Sequence, residues 1–554
     1  MRFLEIPDIL GVSSILFQMA SYLGAFPFSQ DAPAILGFDQ MILVVCIMTD
    51  RHTKVLKNGS QDRAKLIFRS IAVFDRTEGR DITANATEEK AVNTISLNAG
   101  RSGGNVQRPP GFAVDAPAGD EDEDEDDDEG LVLAALEALD ATEIFKHGDM
   151  PVAQASIPSD NMRKFIMLLL LIAPLRAQES LTKYSDRLRG EKLKGLQRAA
   201  DSILAAFTNV EKYPGVKVHQ FSNVIPVSFP FMFNGFNPLF EHFLFSKSLD
   251  FTKHKNSTVP ISDKTTFPDE LNQPPLPHDG EILDINLLSQ ISFFLPGPSL
   301  FGCLRLLYSG GDAGFAMGSF EQKVFNWRAP TILLVSGNII SDPPSGSREK
   351  LFVSTLQPKR FPNSSRISNV VFGVYLSQPW RQTYKDCIGA ADTLLFQLEP
   401  THEVFQPSSI NNNYVSFTKH PTNNAGIGIG CPPPNPKATA NSSHVVLGAV
   451  SLFLDSAFEF GVFTHNYTAG GGAFHASSSR RYDFQDRFEI ESLEVWGCGG
   501  DEESKQQRER WAWEEREAEA RRKINLGTGD IGADRALLEM AGIIDTNKSG
   551  GSMR

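Results

Sequence analysis

The chain has 554 residues, 41% of them hydrophobic and 40 of them Phe, with a formal net charge of -14. That length exceeds what one core holds and predicts two or three domains with linkers, while a mean hydropathy below zero excludes a polytopic membrane protein. Ten consecutive acidic residues at 120–129 carry -10 of the charge and leave -4 for the rest, with no cluster of Lys and Arg that would engage a nucleic-acid backbone.

Along residues 9–75 apolar side chains recur at helical spacing, as at Ile15, Met19, Tyr22 and Leu23 and again at Met41, Val44, Val45 and Met48. Residues 1–75 therefore read as a helical N-terminal region. The apolar stretch 9–27 has no small-residue cleavage site and reads as a core helix, not a signal. Residues 76–159 lose the periodicity, hold the acidic run and read as a disordered acidic linker, with a short helix at 131–145. Helical patterning resumes at Asp160 and continues through 165–175 until Pro174 interferes. This apolar stretch is too short to span a bilayer, and no transmembrane helix is predicted. A second helix is expected over 179–207, then an irregular loop rich in Phe and Pro that leads to a hydrophobic helix at 239–245, which completes a helical region at 160–285.

Residues 286–500 change character. Leu300, Phe301, Leu304, Leu307 and Tyr308 share one helical face and predict an amphipathic helix, with a second around Phe320 and Val324. Short strands then follow near Thr331, Val370, Leu394, Tyr414, Gly426, Ser451 and Phe488, separated by turn signals. The fold class is α+β: a C-terminal, mostly antiparallel β-sandwich with flanking helices, preceded by mainly helical regions. In the last strand Phe488 and Ile490 have one parity and Leu493 and Val495 the other, so a bulge near Ser492 is needed to turn all four inward. Residues 501–554 read as a charged, exposed helix and tail, with Glu517 and Arg521, and Glu519 and Lys523, at favourable i, i+4 spacing.

Three phrases define this region: Val371-Phe-Gly-Val-Tyr-Leu-Ser-Gln-Pro-Trp380, Leu452-Phe-Leu-Asp-Ser-Ala-Phe-Glu-Phe-Gly461 and Phe488-Glu-Ile-Glu-Ser-Leu-Glu-Val-Trp-Gly497. With Leu306-Leu-Tyr-Ser309, Gly314-Phe315, Ala329-Pro-Thr-Ile-Leu-Leu-Val335 and Asp392-Thr-Leu-Leu-Phe-Gln-Leu398, they resemble the TLDc domain in content and order. With the weaker context on both sides, the chain is most similar to the fungal restriction of telomere capping protein 5 family. The resemblance implies a cytoplasmic protein linked to oxidative-stress resistance, to telomere capping and to binding and disassembly of the vacuolar proton-pumping ATPase. Membrane association would then come through that partner. Some members begin Met-Gly and are acylated, whereas this chain begins Met1-Arg2, so no acyl anchor is expected. An insertion at 341–368 also departs from the family pattern.

No nucleophile elbow, Walker loop, zinc-protease or kinase motif occurs, and no cofactor or metal is expected. Asp455 and Glu459, with His465 downstream, are the candidates for an acid-base site in the alternative reading, a hydrolytic or redox enzyme. Spaced by four around a turn, they read first as caps or solvated residues. Gly426-x-Gly-x-Gly430 is followed by Cys431 and three prolines instead of a helix, so it reads as strand glycines. Glu489, Glu491 and Glu494 read as solvated outer-face positions, and Trp380 and Trp496 as buried anchors. The five cysteines are odd in number with no Cys-x-x-Cys pair, as in a reducing compartment, and Cys387 and Cys498 read as buried thiols. Trp511 and Trp513 in the charged tail, together with Asp455 and Glu459, are the candidate interface residues.

Overall fold

The computed structural model describes residues 4–25, 36–52, 63–74, 155–177, 179–208, 213–245, 274–296, 300–364, 369–419, 425–433, 444–499 and a few positions between 505 and 516. Most of the expected linker and the helix at 131–145 lie outside them, but the linker's described end is not disordered, since Ala155–Pro158 is a strand paired on both sides. Three helices, α1 (Ser13–Gly24), α2 (Phe38–Met48) and α3 (Arg63–Ile71), come first. A three-stranded antiparallel sheet follows from β1 (Val73–Phe74), β2 (Ala155–Pro158) and β3 (Gly215–Lys217). Helix α4 (Ser159–Ile172) is buried at every position from Phe165 to Ile172, as expected of a helix apolar all round. Pro174 follows it, because proline has no N–H to continue the ladder.

The pattern expected over 179–207 divides in two. A 3-10 stretch (Leu181–Leu188) is separated by Arg189 from α5 (Gly190–Phe207), whose first residue takes φ +53. Helices α6 (Val218–Ser228) and α7 (Phe236–Phe245) complete this half. All seven helices feed one core, in which Phe221 packs on Phe68 at 5.1 Å and on Phe207 at 5.7 Å.

The remaining described chain builds α8 (Ile285–Ile291) and one path of antiparallel strands. They are β4 (Arg305–Ser309), β5 (Thr331–Ile339), β6 (Asn369–Leu376), β7 (Leu394–Glu399), β8 (Glu403–Phe405), β9 (Val415–Thr418), β10 (Gly426–Ile429), β11 (Val450–Asp455), β12 (Phe460–His465) and β13 (Phe484–Gly497). Helix α9 (Met317–Val324) precedes β5 and α10 (Ser347–Thr355) follows it. The order is β8-β7-β6-β5-β13-β12-β11-β10-β9, with β4 on β13. The path folds over itself: Phe372 on β6 stacks at 4.6 Å on Phe463 of β12, although β5 and β13 lie between them in the sheet. The 14-residue β13 serves both layers, pairing with β12 through its first half and with β4 through its second. Its register shifts between Ile490 and Ser492, and Phe488, Ile490, Leu493 and Val495 all enter the inner core. The extra residue reverses the parity and keeps the apolar set inside.

The amphipathic helix expected at 300–308 is absent. Residues 305–309 form β4, because the far edge of β13 needs a partner there. A short apolar run fits either period, and here Leu300 and Leu304 face one core while Leu307 and Tyr308 face another. The helix of this segment lies earlier, at α8, where the Asp284 carboxylate accepts the N–H groups of Asn286 at 2.9 Å and Leu287 at 2.7 Å. Both outer faces of the sandwich are covered: α8 and its flanks lie on one, with Phe294 at 4.9 Å from Phe396, and α10 on the other, with Phe352 stacked at 5.1 Å on Phe460. Among the described residues no helix is long and apolar enough to cross a membrane.

The halves meet at His402. Its backbone N–H donates to Ser202 O at 3.0 Å, its Nδ1 accepts from Gln290 Nε2 at 2.9 Å, and its ring stacks on Phe229 at 4.5 Å. Complete burial pushes its pKa down to about 3, below the ordinary 6.5. The unfolded chain therefore binds a proton that the folded chain refuses. Stability from this group is fully present above pH 6.5 and falls by about 1.4 kcal/mol for each unit of pH below it. Between pH 6.5 and 5 the intact protein should lose about 2 kcal/mol through His402. Urea midpoints for the parent and for His402→Gln at the two pH values check this. An equal loss in both proteins would show that the group does not stay neutral.

Candidate functional site

The sequence points to the β11–β12 hairpin, and backbone geometry decides what its acidic residues do. Phe458 turns the chain at φ +52, which directs the following N–H groups back towards Asp455. Asp455 Oδ1 accepts from Glu459 N and Phe460 N at 2.9 Å each, and Oδ2 from Ala457 N at 3.4 Å. Burial raises the Asp455 pKa, and these bonds partly offset it. Glu459 instead faces solvent and pairs at 3.2 Å with Arg348 of α10.

His465 is not their neighbour. The register pairs it with Val450, at the other end of the hairpin, roughly 16 Å along the strand from Asp455. Its Nδ1 donates to Tyr482 O at 3.0 Å and its Nε2 accepts from Ser477 N at 2.9 Å, which defines a neutral ring. Burial lowers its pKa. Beside it, Arg480 Nε bonds Glu403 at 2.6 Å, Arg480 Nη2 bonds Gln397 at 2.8 Å, and the guanidinium lies 4.6 Å over the Phe484 ring. This buried network joins β7, β8 and the loop before β13.

Glu494 departs from expectation. Glu489 and Glu491 are exposed, but Glu494 is fully buried. Its carboxylate accepts the N–H groups of Glu281, of Ile282 at 3.1 Å and of Leu283 at 3.2 Å, and Trp496 Nε1–H at 2.9 Å. The outer face of β13 is not solvated there because the segment leading into α8 covers it. The signal was present in the sequence: Trp496 shares the parity of Glu494, and a tryptophan on a presumed solvent face implies a cover.

The other candidates fall into place within the fold. Gly426 and Gly428 lie in β10, and a Cβ at Gly426 would collide with Leu454 O of β11. Trp380 is buried with Nε1 bonded to Thr331 Oγ1 at 2.9 Å. Burial pushes the Cys387 thiol up to about 11 and the Cys498 thiol up to about 12, away from thiolate reactivity. Trp513 has helical backbone and is 54% exposed. Trp511 and the Glu517–Arg521 and Glu519–Lys523 pairs lie outside the described residues. Among the described residues no group of three or more His, Cys, Asp or Glu is placed to hold a metal ion.

The TLDc domain family profile matches residues 276–499, the span from the α8 cover to the end of β13. A Colletotrichum graminicola protein named "Restriction of telomere capping protein 5" is 58% identical over all of this chain, which covers 90% of that relative. Proteins of the same name from Pyricularia oryzae and Neurospora crassa are each 51% identical over all of this chain, which covers 90% and 89% of them. The chain belongs to the restriction of telomere capping protein 5 family. Membership extends beyond the TLDc domain, since the matches run through the helical half as well. Within this fold Glu494, which is buried, and Asp455, which is half-buried, each hold backbone N–H groups.

Two contrasts test this division of roles. Asp455→Ala should cost about 1–3 kcal/mol by leaving its N–H partners without an acceptor, whereas Glu459→Ala should stay within about 0.5 kcal/mol, as for an exposed pair. Glu494→Ala should exceed about 3 kcal/mol because four buried donors lose their partner. Denaturant unfolding of the three variants gives the ranking, and a Glu459 effect equal to that of Asp455 would contradict it.

Proposed function

We propose that this member of the family is a non-enzymatic interaction protein of the cytoplasm, which binds a soluble sector of the vacuolar proton-pumping ATPase. Contact is made by the TLDc domain and the charged segment after Gly500. The observation that carries the reading is that Asp455 and His465, the groups an acid-base site would need, lie at opposite ends of one hairpin and are bonded to backbone. A reaction requires such groups to converge on one reacting atom. Exposed Trp513 supports a role for the tail, since tryptophan is enriched at interface centres. The relatives' printed names concern restriction of telomere capping. With no basic cluster in the sequence, that role is indirect and involves no DNA contact. A contribution to oxidative-stress resistance through the partner is favoured by burial of Cys387 and Cys498, which pushes both thiols up and away from thiolate reactivity.

Capture of ATPase subunits by purified full-length protein tests the partner, with a chain ending at Gly500, checked for folding, as the comparison. Full-length protein should capture the soluble sector and the truncation should capture less. Equal capture would remove the tail from the interface, and capture by neither would remove the partner. Esterase, phosphatase and peroxide panels test the enzymatic alternative. Turnover abolished by Asp455→Ala or Glu459→Ala would overturn the interaction reading.

A further inference from the structure

Helix α2 is apolar on every side. After Gln40 each residue from Met41 to Met48 is apolar, and a helix of that kind belongs in a core, as α4 does. Only one side of α2 is covered in that way: Val44, Val45, Ile47 and Met48 are buried, where the helix packs on α1 and α7. The other side carries Phe38, Ile42 and Leu43 at i, i+4 and i+5, all exposed, Phe38 by 79%. Phe17 of α1 is exposed as well. It lies two turns before Gly24, which meets Gln40 of α2, and so on the side of α1 that faces α2. Among the described residues this stripe is left open, and apolar side chains gathered on a surface mark a contact.

The chain outside the described residues supplies the occupant. Residues 75–154 leave the helical half at Phe74 and return to it at Ala155, and these two residues are paired in the β1–β2 ladder. Whatever lies between is tied to this half at both ends. Within it Val132, Leu133, Leu136 and Leu139 recur at i, i+1, i+4 and i+7, the apolar stripe of the helix expected at 131–145. About ten residues join that segment to Ala155, a reach of ~35 Å. A lone helix of about 15 residues is marginal in water and needs a surface for its stripe. The acidic run at 120–129 stands at its N-terminal end, where negative charge favours a helix.

We propose that residues 131–145 dock as a helix on the exposed stripe of α2, with Val132, Leu133, Leu136 and Leu139 turned onto Phe38, Ile42 and Leu43. The tether gives an effective concentration on the order of millimolar, so a contact too weak to form between separate molecules is populated within one chain. It covers a surface that would otherwise join copies of the chain, and it holds the acidic run against the helical half. This contact is independent of the protein–protein interface proposed above.

Amide hydrogen exchange of the full-length protein, read by mass spectrometry against a synthetic peptide of residues 131–145, tests the docking. Amides of the segment should exchange at least tenfold more slowly in the protein than in the free peptide. Ile42→Asp, Phe38→Asp and Leu136→Asp should each return them to the peptide's rate. Ile42 and Phe38 are exposed, so protection of α4 should persist and confirm the fold. Added peptide should bind the Leu136→Asp protein saturably and bind the parent, whose stripe is occupied, at least tenfold more weakly. Exchange at the peptide's rate in the parent, or protection that survives both Ile42→Asp and Phe38→Asp, would overturn the docking. Protection that appears only at concentrations where sedimentation shows a dimer would overturn it too, and would assign the stripe to a second copy.

Discussion

Glu494 lies on the one strand that both sheet layers share, and its two oxygens hold three consecutive backbone N–H groups of the segment covering that strand. A buried carboxylate is costly to desolvate, and here the charge is met by backbone donors and an indole. The geometry then propagates. Residues 281–283 must present their backbone to the sheet, and Gly280 must lack a side chain, since a Cβ there would stand 2.5 Å from Glu494 Oε1 and 2.8 Å from Trp496 Cζ2. Asp284 follows at once and caps α8. One acidic side chain on β13 thereby determines where the covering helix begins.

That placement reaches the helical half through α8. Arg187 is fully buried and bonds Asn286 Oδ1 at 3.1 and 2.9 Å and Ser289 Oγ at 3.2 Å. Gln290, one turn further on, reaches His402 and Leu398 O. Ser202 Oγ donates to the same Leu398 carbonyl from α5. These polar groups lie in a seam otherwise filled by Phe229, Phe293 and Phe294. Apolar rings tolerate sliding, whereas a displaced seam would leave a buried guanidinium and several amides unpaired at a cost of several kcal/mol. The polar groups therefore define one alignment of the halves.

Much of this was legible in the sequence, and two of the misses share a cause. Alternation and turn residues located seven of the ten strands of the sandwich, all but β4, β8 and β12, and the parity change at Phe488, Ile490, Leu493 and Val495 located the bulge. Helical spacing placed helices in 9–75 and located α4, α5 and the region of α7, but not α6, which lies where a loop was expected, nor the small sheet β1–β3. What failed was the judgement of where an outer face of the sheet is covered. Glu494 was assigned to solvent, and 300–308 to a helix packing from outside, because the cover comes from residues 276–304, distant in sequence from the strands they bury. Periodicity reports which positions share a face and not whether that face has a second layer. The same limit applied to Asp455 and His465: their nearness in sequence suggested a site, while antiparallel pairing carried them to opposite ends of a hairpin.

The covers also determine where the sandwich can meet anything else. With α8 on one outer face and α10 on the other, apolar side chains of the sandwich reach solvent chiefly from its connections. Ile410 is 86% exposed, and Tyr467 and Tyr482 are about half exposed. Their loops are tied together: Asn411 Nδ2 donates to Gly471 O at 2.9 Å, Tyr467 N to Asp483 Oδ1 at 2.7 Å, and Ser408 N to Ala473 O at 2.8 Å. Loops cross-linked in this way present their side chains in one arrangement before any contact is made, and such pre-ordering reduces the entropy lost on association. The hairpin turn at Asp455 obeys the same rule. Its carboxylate is used internally to hold the turn, which leaves Glu459 and Arg348 outside as the charged pair that another molecule would meet.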